Sequence, residues 1–239
     1  PARSATFVDS LLARPEFIDQ WVMRLAELLR VRSSNDVAPK AAQGWFEWLQ
    51  RSLRGGLCID EIVRRQITAA GSNYSVPEAS YFLVERDAKV MAENFAQAFL
   101  GVRISCAQCH NHPFDRWTQD DYTGLVAFFA EVRAKRAEDP NEWVVFDRRG
   151  GDTRHPITNQ VVPPRFLGGE APDVQRRERR AVLAEWLTAP ENPWFARNLA
   201  NRVWAAYMGQ GVVEPVDDVR ISNPAANEAL LAAQRARRG

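Results

Sequence analysis

Residues 103–115 read Arg103-Ile104-Ser105-Cys106-Ala107-Gln108-Cys109-His110-Asn111-His112-Pro113-Phe114-Asp115. Within them Cys106, Cys109 and His110 spell C-x-x-C-H, the attachment pattern of haem c. The spacing has a chemical reason. Two thiols one turn apart reach the two vinyl groups on one edge of a porphyrin, and the next residue, His110, lies under the ring and binds its iron. The flanking sequence is helical in character. The fold class expected is therefore mostly α: an irregular helical domain carrying one covalent haem c, with a Pro/Gly-rich segment containing a short β-hairpin.

Upstream, Phe17, Trp21, Val22, Leu25, Leu28 and Leu29 fall on one stripe and predict a helix over Glu16–Arg32, with Pro15 just inside its start. Trp45, Trp48, Leu49 and Leu53 mark a helix over Lys40–Leu53 that stops at Gly55-Gly56. Ile62, Val63 and Ile67 mark another over Asp60–Ala70, broken by Gly71-Ser72-Asn73. Asp87 caps a fourth, with Met91, Phe95, Ala98 and Phe99 on its apolar face. Thr118 and Asp121 form a capping box before a helix that buries Tyr122, Leu125, Phe128 and Phe129.

After Lys135 the texture changes. Prolines 140, 156, 163, 164 and 172 and glycines 150, 151, 168 and 169 exclude a long helix. Trp143–Phe146 and Ile157–Val162 read as strands of a hairpin around Arg148-Arg149-Gly150-Gly151. Helices then return. Asp173 caps one bearing Val182, Leu183, Trp186 and Leu187. Asn192-Pro193 opens another with Phe195, Leu199 and Val203 inward, and Asn223-Pro224 opens a last one before a polar tail. Three segments follow: a helical haem domain over 1–135, a connecting segment over 136–172 packing on it, and a helical segment over 173–239.

The 31 Lys+Arg against 30 Asp+Glu leave a net charge of +1, no basic surplus for neutralising nucleic-acid phosphates. No apolar run reaches the length of a membrane span. Three cysteines are an odd number and argue against a disulfide framework. Zinc is the alternative at Cys106 and Cys109, with His110, His112, Cys58 or His155 completing the set, but no second C-x-x-C is present. Cys58 itself reads as a buried, inert thiol. Tryptophans 21, 48, 186 and 204 fall on helix stripes and read as core. No Ser/His/Asp arrangement for hydrolysis is visible, and Asp120/Asp121 and Asp217/Asp218 read as caps and turns, so no catalytic residue is assigned.

The stretch Asn94-Phe95-Ala96-Gln97-Ala98-Phe99-Leu100-Gly101-Val102-Arg103, leading into the C-x-x-C-H and on to Asp115, resembles the planctomycete-type cytochrome c domain. That is the haem-bearing domain of large exported bacterial proteins. The run Asn192-Pro193-Trp194-Phe195-Ala196-Arg197-Asn198-Leu199-Ala200-Asn201-Arg202-Val203-Trp204, continuing to Glu214-Pro215-Val216-Asp217-Asp218, is similar to the opening of the domain of unknown function that usually follows it. In that family the second domain runs on well beyond Asn223-Pro224, and an additional N-terminal haem domain is often found. The resemblance therefore implies a fragment or a pared-down member with one haem, and it implies no particular reaction.

The expected iron ligands are His110 and, from the opposite face, His155 in Arg154-His155-Pro156, with Met91 or Met208 or an open position as alternatives. Both methionines sit on apolar helical stripes, where such residues are usually core filler. His112 starts on the same side of the haem as His110 and reads as an edge hydrogen bonder or a contact to a second subunit. Arg103 and Arg116 flank the attachment site and are candidates to pair with haem propionates, the alternative being solvated surface charge. Haem c is made outside the cytoplasmic membrane in bacteria, so the motif implies export to the periplasm, the cell surface or beyond. The leading expectation is an exported monohaem cytochrome that transfers electrons to a redox partner protein or between neighbouring copies of itself in a homo-oligomer or filament. The alternatives are catalysis or sensing at an open iron site, and a haem-stapled binding module of a cell-surface protein.

Overall fold

The computed structural model describes residues 2–219. The chain is about half helical, with nine α-helices and small antiparallel sheets among the described residues. No helix among them is long and apolar enough to cross a membrane. The expected helix after Asn223-Pro224 and the polar tail lie outside the described residues. Two compact units arise, residues 1–85 with 133–146 and residues 86–132 with 147–239, so the units of packing cut across the three sequence segments.

The first unit contains α1 (Ala2–Leu12), α2 (Pro15–Leu28), α3 (Pro39–Arg54), α4 (Ile59–Thr68) and α5 (Tyr81–Val84). Pro15 and Pro39 open α2 and α3, where a missing N–H is one of the helix's unpaired donors anyway. Helix α2 packs on α3, and Val22 and Leu25 of the first and Trp45 and Leu49 of the second are buried. The Trp45 indole N–H donates to Gln66 Oε1 at 2.9 Å, which satisfies two buried polar groups at once. Tyr81 meets the Trp45 ring edge-on at 6.3 Å, and burial pushes its phenol well above the usual range.

Gly71-Ser72, read as a helix breaker, is a short strand. β1 (Gly71–Ser72), β2 (Val132–Arg136) and β3 (Trp143–Asp147) form a sheet in the order β1-β3-β2, with Gly71 opposite Val145 and Ser72 opposite Val144. Asn73 fixes the register from both sides. Its N–H donates to Trp143 O at 2.9 Å and its Oδ1 accepts from Trp143 N at 3.0 Å. Cys58 is exposed at the start of α4, not buried as expected. The tryptophan reading also needs correction. Trp21, Trp48, Trp186 and Trp204 are half-buried, whereas Trp45, Trp117 and Trp143 occupy the interior.

The second unit holds α6 (Ala88–Phe95), α7 (Gln119–Val126), α8 (Arg179–Thr188) and α9 (Phe195–Met208). Asp87 accepts from Lys89 N at 2.7 Å as the expected cap of α6. The predicted capping box of α7 is present, Asp121 N on Thr118 Oγ1 and Thr118 N on Asp121 Oδ2. Phe95 packs on Phe99 and Phe129 with ring centroids 5.5 and 5.7 Å apart. Phe166 is sandwiched between Phe128 and Trp186 at 5.4 and 4.8 Å.

The expected hairpin around Arg148–Gly151 does not form. β3 pairs instead with β1 and β2, and a separate hairpin joins β4 (Thr153–Arg154) to β5 (Val161–Val162) through residues 155–160. A Cβ at Gly151 would sit 2.0 Å from Ala130 O, so the chain runs against Ala130 there and only glycine fits. Asp173 caps a turn, accepting from Gln175 N at 3.0 Å, and α8 starts six residues later, behind Glu178.

Helix α9 departs most from expectation. Asn192 does receive the N–H groups of Trp194 and Phe195, but Phe195, Leu199 and Val203 are half-buried, and the inward residues are Asn198 and Asn201. The reason lies in the end of α6. That helix runs into a π-turn over Ala96–Leu100 and stops at Gly101 in the left-handed region, φ 69°. Its last carbonyls lack intrahelical partners. Asn198 Nδ2 donates to Ala98 O at 2.7 Å, and Arg202 donates to Gln97 O at 2.9 Å and to Asn198 Oδ1 at 3.2 Å. Asn201 pairs both ways with the Val213 backbone, at 2.9 and 3.0 Å. A Cβ at Gly101 would meet Asn198 Oδ1 at 2.6 Å, so only glycine admits this contact.

Asp217 extends the same network, accepting from Gln97 and from Arg103 at 2.8 Å. Burial raises its carboxyl, but these hydrogen bonds and the Arg103 charge outweigh that and hold it below the usual carboxylate range. A carboxylate depressed in the folded state stabilises above its unfolded pKa, and that contribution disappears as the pH falls through its folded value. Asp217→Asn is therefore expected to lower the melting temperature at neutral pH, with the difference from wild type shrinking to nothing in acid. A difference constant from pH 7 to pH 3 would refute this.

Candidate functional site

The Cys106–His110 motif begins on a single 3-10 turn, Ser105–Gln108, with Cys109 capping its end and a short irregular run separating it from Gly101. Ile104 and Ala107 are the inward residues, 1% and 0% exposed, and Ala107 N donates to Ile104 O at 2.9 Å. Residues three apart in a 3-10 turn lie on the same side. With Ala107 turned in, Cys106 and Cys109 both face out, and both thiols are exposed and unpaired. The first residue of α7 holds the turn from behind, Gln119 N on Asn111 Oδ1 at 3.2 Å and Gln119 Nε2 on Gln108 O at 3.5 Å.

His110 is exposed, and its Nδ1 lies 2.8 Å from Asn111 O. A carbonyl oxygen only accepts, so Nδ1 carries the proton and Nε2 presents a lone pair to solvent. This is the tautomer and the supporting hydrogen bond of a metal-binding histidine. Two exposed thiols followed by an imidazole with Nε2 open fit a covalently held haem. Cys106 and Cys109 would carry it, and His110 would bind the iron.

The other expected site residues lie as follows. His112 is buried and turned into its own loop. Its N–H donates to Trp117 O at 2.8 Å and its Nδ1 accepts from Phe114 N at 3.2 Å. His155 opens the β4–β5 loop, its Nδ1 accepting from Ile157 N and Thr158 N, both at 3.2 Å, and its Nε2 3.6 Å from Asp120 Oδ1 on α7. The α7 N-terminus thus meets the motif turn through Gln119 and the hairpin through Asp120. Arg103 is engaged with Asp217. The Arg116 guanidinium stacks over the Trp117 and Trp194 rings, at 4.7 and 5.3 Å from their centroids. Met91 is buried on α6, and Met208 is exposed at the end of α9, where a core position was expected. Zinc needs a closed set of ligands. Among the described residues no three of His, Cys, Asp or Glu converge into one.

Tyr122 is a neighbour that sequence reasoning missed. Buried on α7, it donates to Glu93 Oε1 at 2.8 Å, and burial, reinforced by Glu93 and more weakly by Cys109, keeps its phenol far above the usual range. It remains a neutral donor to Glu93. Asn111 and Gln119 were missed as well, because a hydrogen bond to a backbone carbonyl or across a loop leaves no trace in residue spacing.

Fold and site together define a mainly helical protein that displays a thiol–thiol–imidazole triplet on one turn. The family model named PSCyt2, described as a protein of unknown function (DUF1549), matches residues 1–134, more than half of the chain, and the chain belongs to that family. A second model, PSD1, also described as a protein of unknown function (DUF1553), matches residues 179–234, so the chain carries the pairing of the two. No curated protein and no solved structure matches it.

Proposed function

We propose that this chain is an exported monohaem c-type cytochrome that carries electrons. The observation that supports the reading most is His110, with Nδ1–H on Asn111 O and Nε2 open, immediately after two thiols on the same exposed face. Attachment would consist of two additions. Each Sγ–H adds across a vinyl C=C, forming a carbon–sulfur bond in place of the π bond, with the thiol hydrogen passing to the neighbouring vinyl carbon and no net oxidation. The bound group supplies one-electron exchange, and the chain anchors it, ligates it and limits its contact with water. The PSCyt2 family name is compatible with this reading.

A single haem needs far less chain than 239 residues. The remainder suits an interface, either to a redox partner or to further copies of the same chain. Covalent haem also implies maturation outside the cytoplasmic membrane, and therefore a periplasmic, cell-surface or extracellular home. The test is expression in a host that matures haem c, with oxidised and dithionite-reduced visible spectra and haem staining of a denaturing gel. A reduced α band with haem retained on the gel is expected. Apoprotein from a maturation-competent host would overturn the assignment.

A further inference from the structure

We propose that Phe114, Ile157 and Val161 form an apolar wall against which the haem carried by Cys106 and Cys109 lies. The inference rests on the haem reading above and adds to it the side chains that cover the group. Among the described residues of the unit that carries the motif, the large apolar side chains most open to solvent are Phe114, Ile157, Val161, Tyr207 and Met208. Tyr207 and Met208 close α9. The other three stand on the motif's own loop and on the β4–β5 hairpin, 65%, 75% and 49% exposed.

One end of α7 gathers both loops. Gln119, its first residue, donates to Asn111 Oδ1 at 3.2 Å and to Gln108 O at 3.5 Å and so holds the motif turn. Asp120, its second, lies 3.6 Å from His155 Nε2 at the start of the hairpin loop, and β4 and β5 both pack on α7. Each loop is closed by its own backbone. His112 N donates to Trp117 O at 2.8 Å, and His155 N and Asn159 N donate to Gln160 O and His155 O, both at 2.9 Å. Loops tied in this way hold Phe114 and Ile157 outward, and apolar surface fixed in water is unfavourable until something covers it. Charge points the same way. Residues 104–114 and 156–164 contain no Asp, Glu, Lys or Arg, although 26% of the chain is charged. Two uncharged stretches with apolar side chains in solvent, brought to the helix end that also holds the thiols, suit the largely apolar face of a porphyrin.

Haem content of the full chain would first be measured by pyridine haemochrome, and absence of covalent haem would overturn the cytochrome reading and the wall with it. Reduction potentials would then be read by spectroelectrochemical titration for wild type, Phe114→Ser, Ile157→Ser, Phe114→Leu and Tyr207→Ser. Loss of an apolar cover admits water, which favours the more highly charged ferric state. The expected result is a lower potential in Phe114→Ser and in Ile157→Ser at unchanged haem content. Phe114→Leu keeps an apolar cover and Tyr207→Ser alters only the end of α9, so both are expected to hold the wild-type potential. Wild-type potentials in the two loop serine variants would overturn the proposal, as would an equal fall in Tyr207→Ser. So would sedimentation in which the loop variants dissociate an oligomer while keeping the wild-type potential, since the patch would then be a contact between copies of the chain.

Discussion

A chain bearing Cys106→Ser with Cys109→Ser is expected to retain no haem on a denaturing gel, against one haem per chain for wild type. A serine hydroxyl does not form the thioether, so both anchors disappear and any remaining haem is held by His110 and packing alone. Single variants are expected to keep one thioether and a reduced haem content. Both thiols are exposed and neither donates to a core hydrogen bond, so the far-ultraviolet circular dichroism of the double-variant apoprotein should match that of wild-type apoprotein. That comparison separates loss of attachment from loss of fold. Haem retained at the wild-type level in the double variant would show that the cysteines are not the anchors.

Arg180→Ala is expected to destabilise the chain by about 3–5 kcal/mol, the range for removing one partner of a buried ion pair. Arg180 is the second residue of α8 with a side chain 2% exposed, and it donates through Nε and a terminal nitrogen to both oxygens of Asp147, at 3.0 and 2.5 Å. Truncation leaves Asp147, whose side chain is only 19% exposed, without its counter-charge. Replacing both members with apolar residues of similar size removes the charge together with its partner, so Arg180→Met with Asp147→Leu should recover most of the loss. Denaturant unfolding of the single and double variants provides the check. A single variant within about 1 kcal/mol of wild type would mean that the pair is solvated.

The helices were legible where a local rule decides them. Stripes at helical spacing, Pro15 at a helix start, Asp87 as a cap and the Thr118–Asp121 box all operate within one or two turns, and sequence distance is then a good proxy for space. Strand pairing was not legible. Trp143–Phe146 was recognised as extended, but its partner Gly71-Ser72 lies some 70 residues earlier and is too short to show an alternating pattern. Helix α9 misled for a different reason. Its apolar residues share one stripe, yet Asn198, Asn201 and Arg202 turn inward because the carbonyls at the end of α6 and the Val213 backbone groups find their hydrogen-bond partners there.

At the site, the triplet itself was fully legible, being five consecutive residues. The states of the three histidines were not. His110, His112 and His155 differ only in which backbone group faces Nδ1, and that is a property of loop closure.

The contacts at Arg179, Asn198 and Arg202 join the two family segments of the chain. Arg179 is the first residue of the PSD1 match, and it donates to the backbone oxygen of Ala127, inside the PSCyt2 match, at 2.9 Å. Asn198 and Arg202 meet Ala98 and Gln97 in the same way. The two matched segments thus share one hydrogen-bond network, and a chain cut between them would leave in the first a set of carbonyls, and in the second a set of amide and guanidinium donors, without these partners.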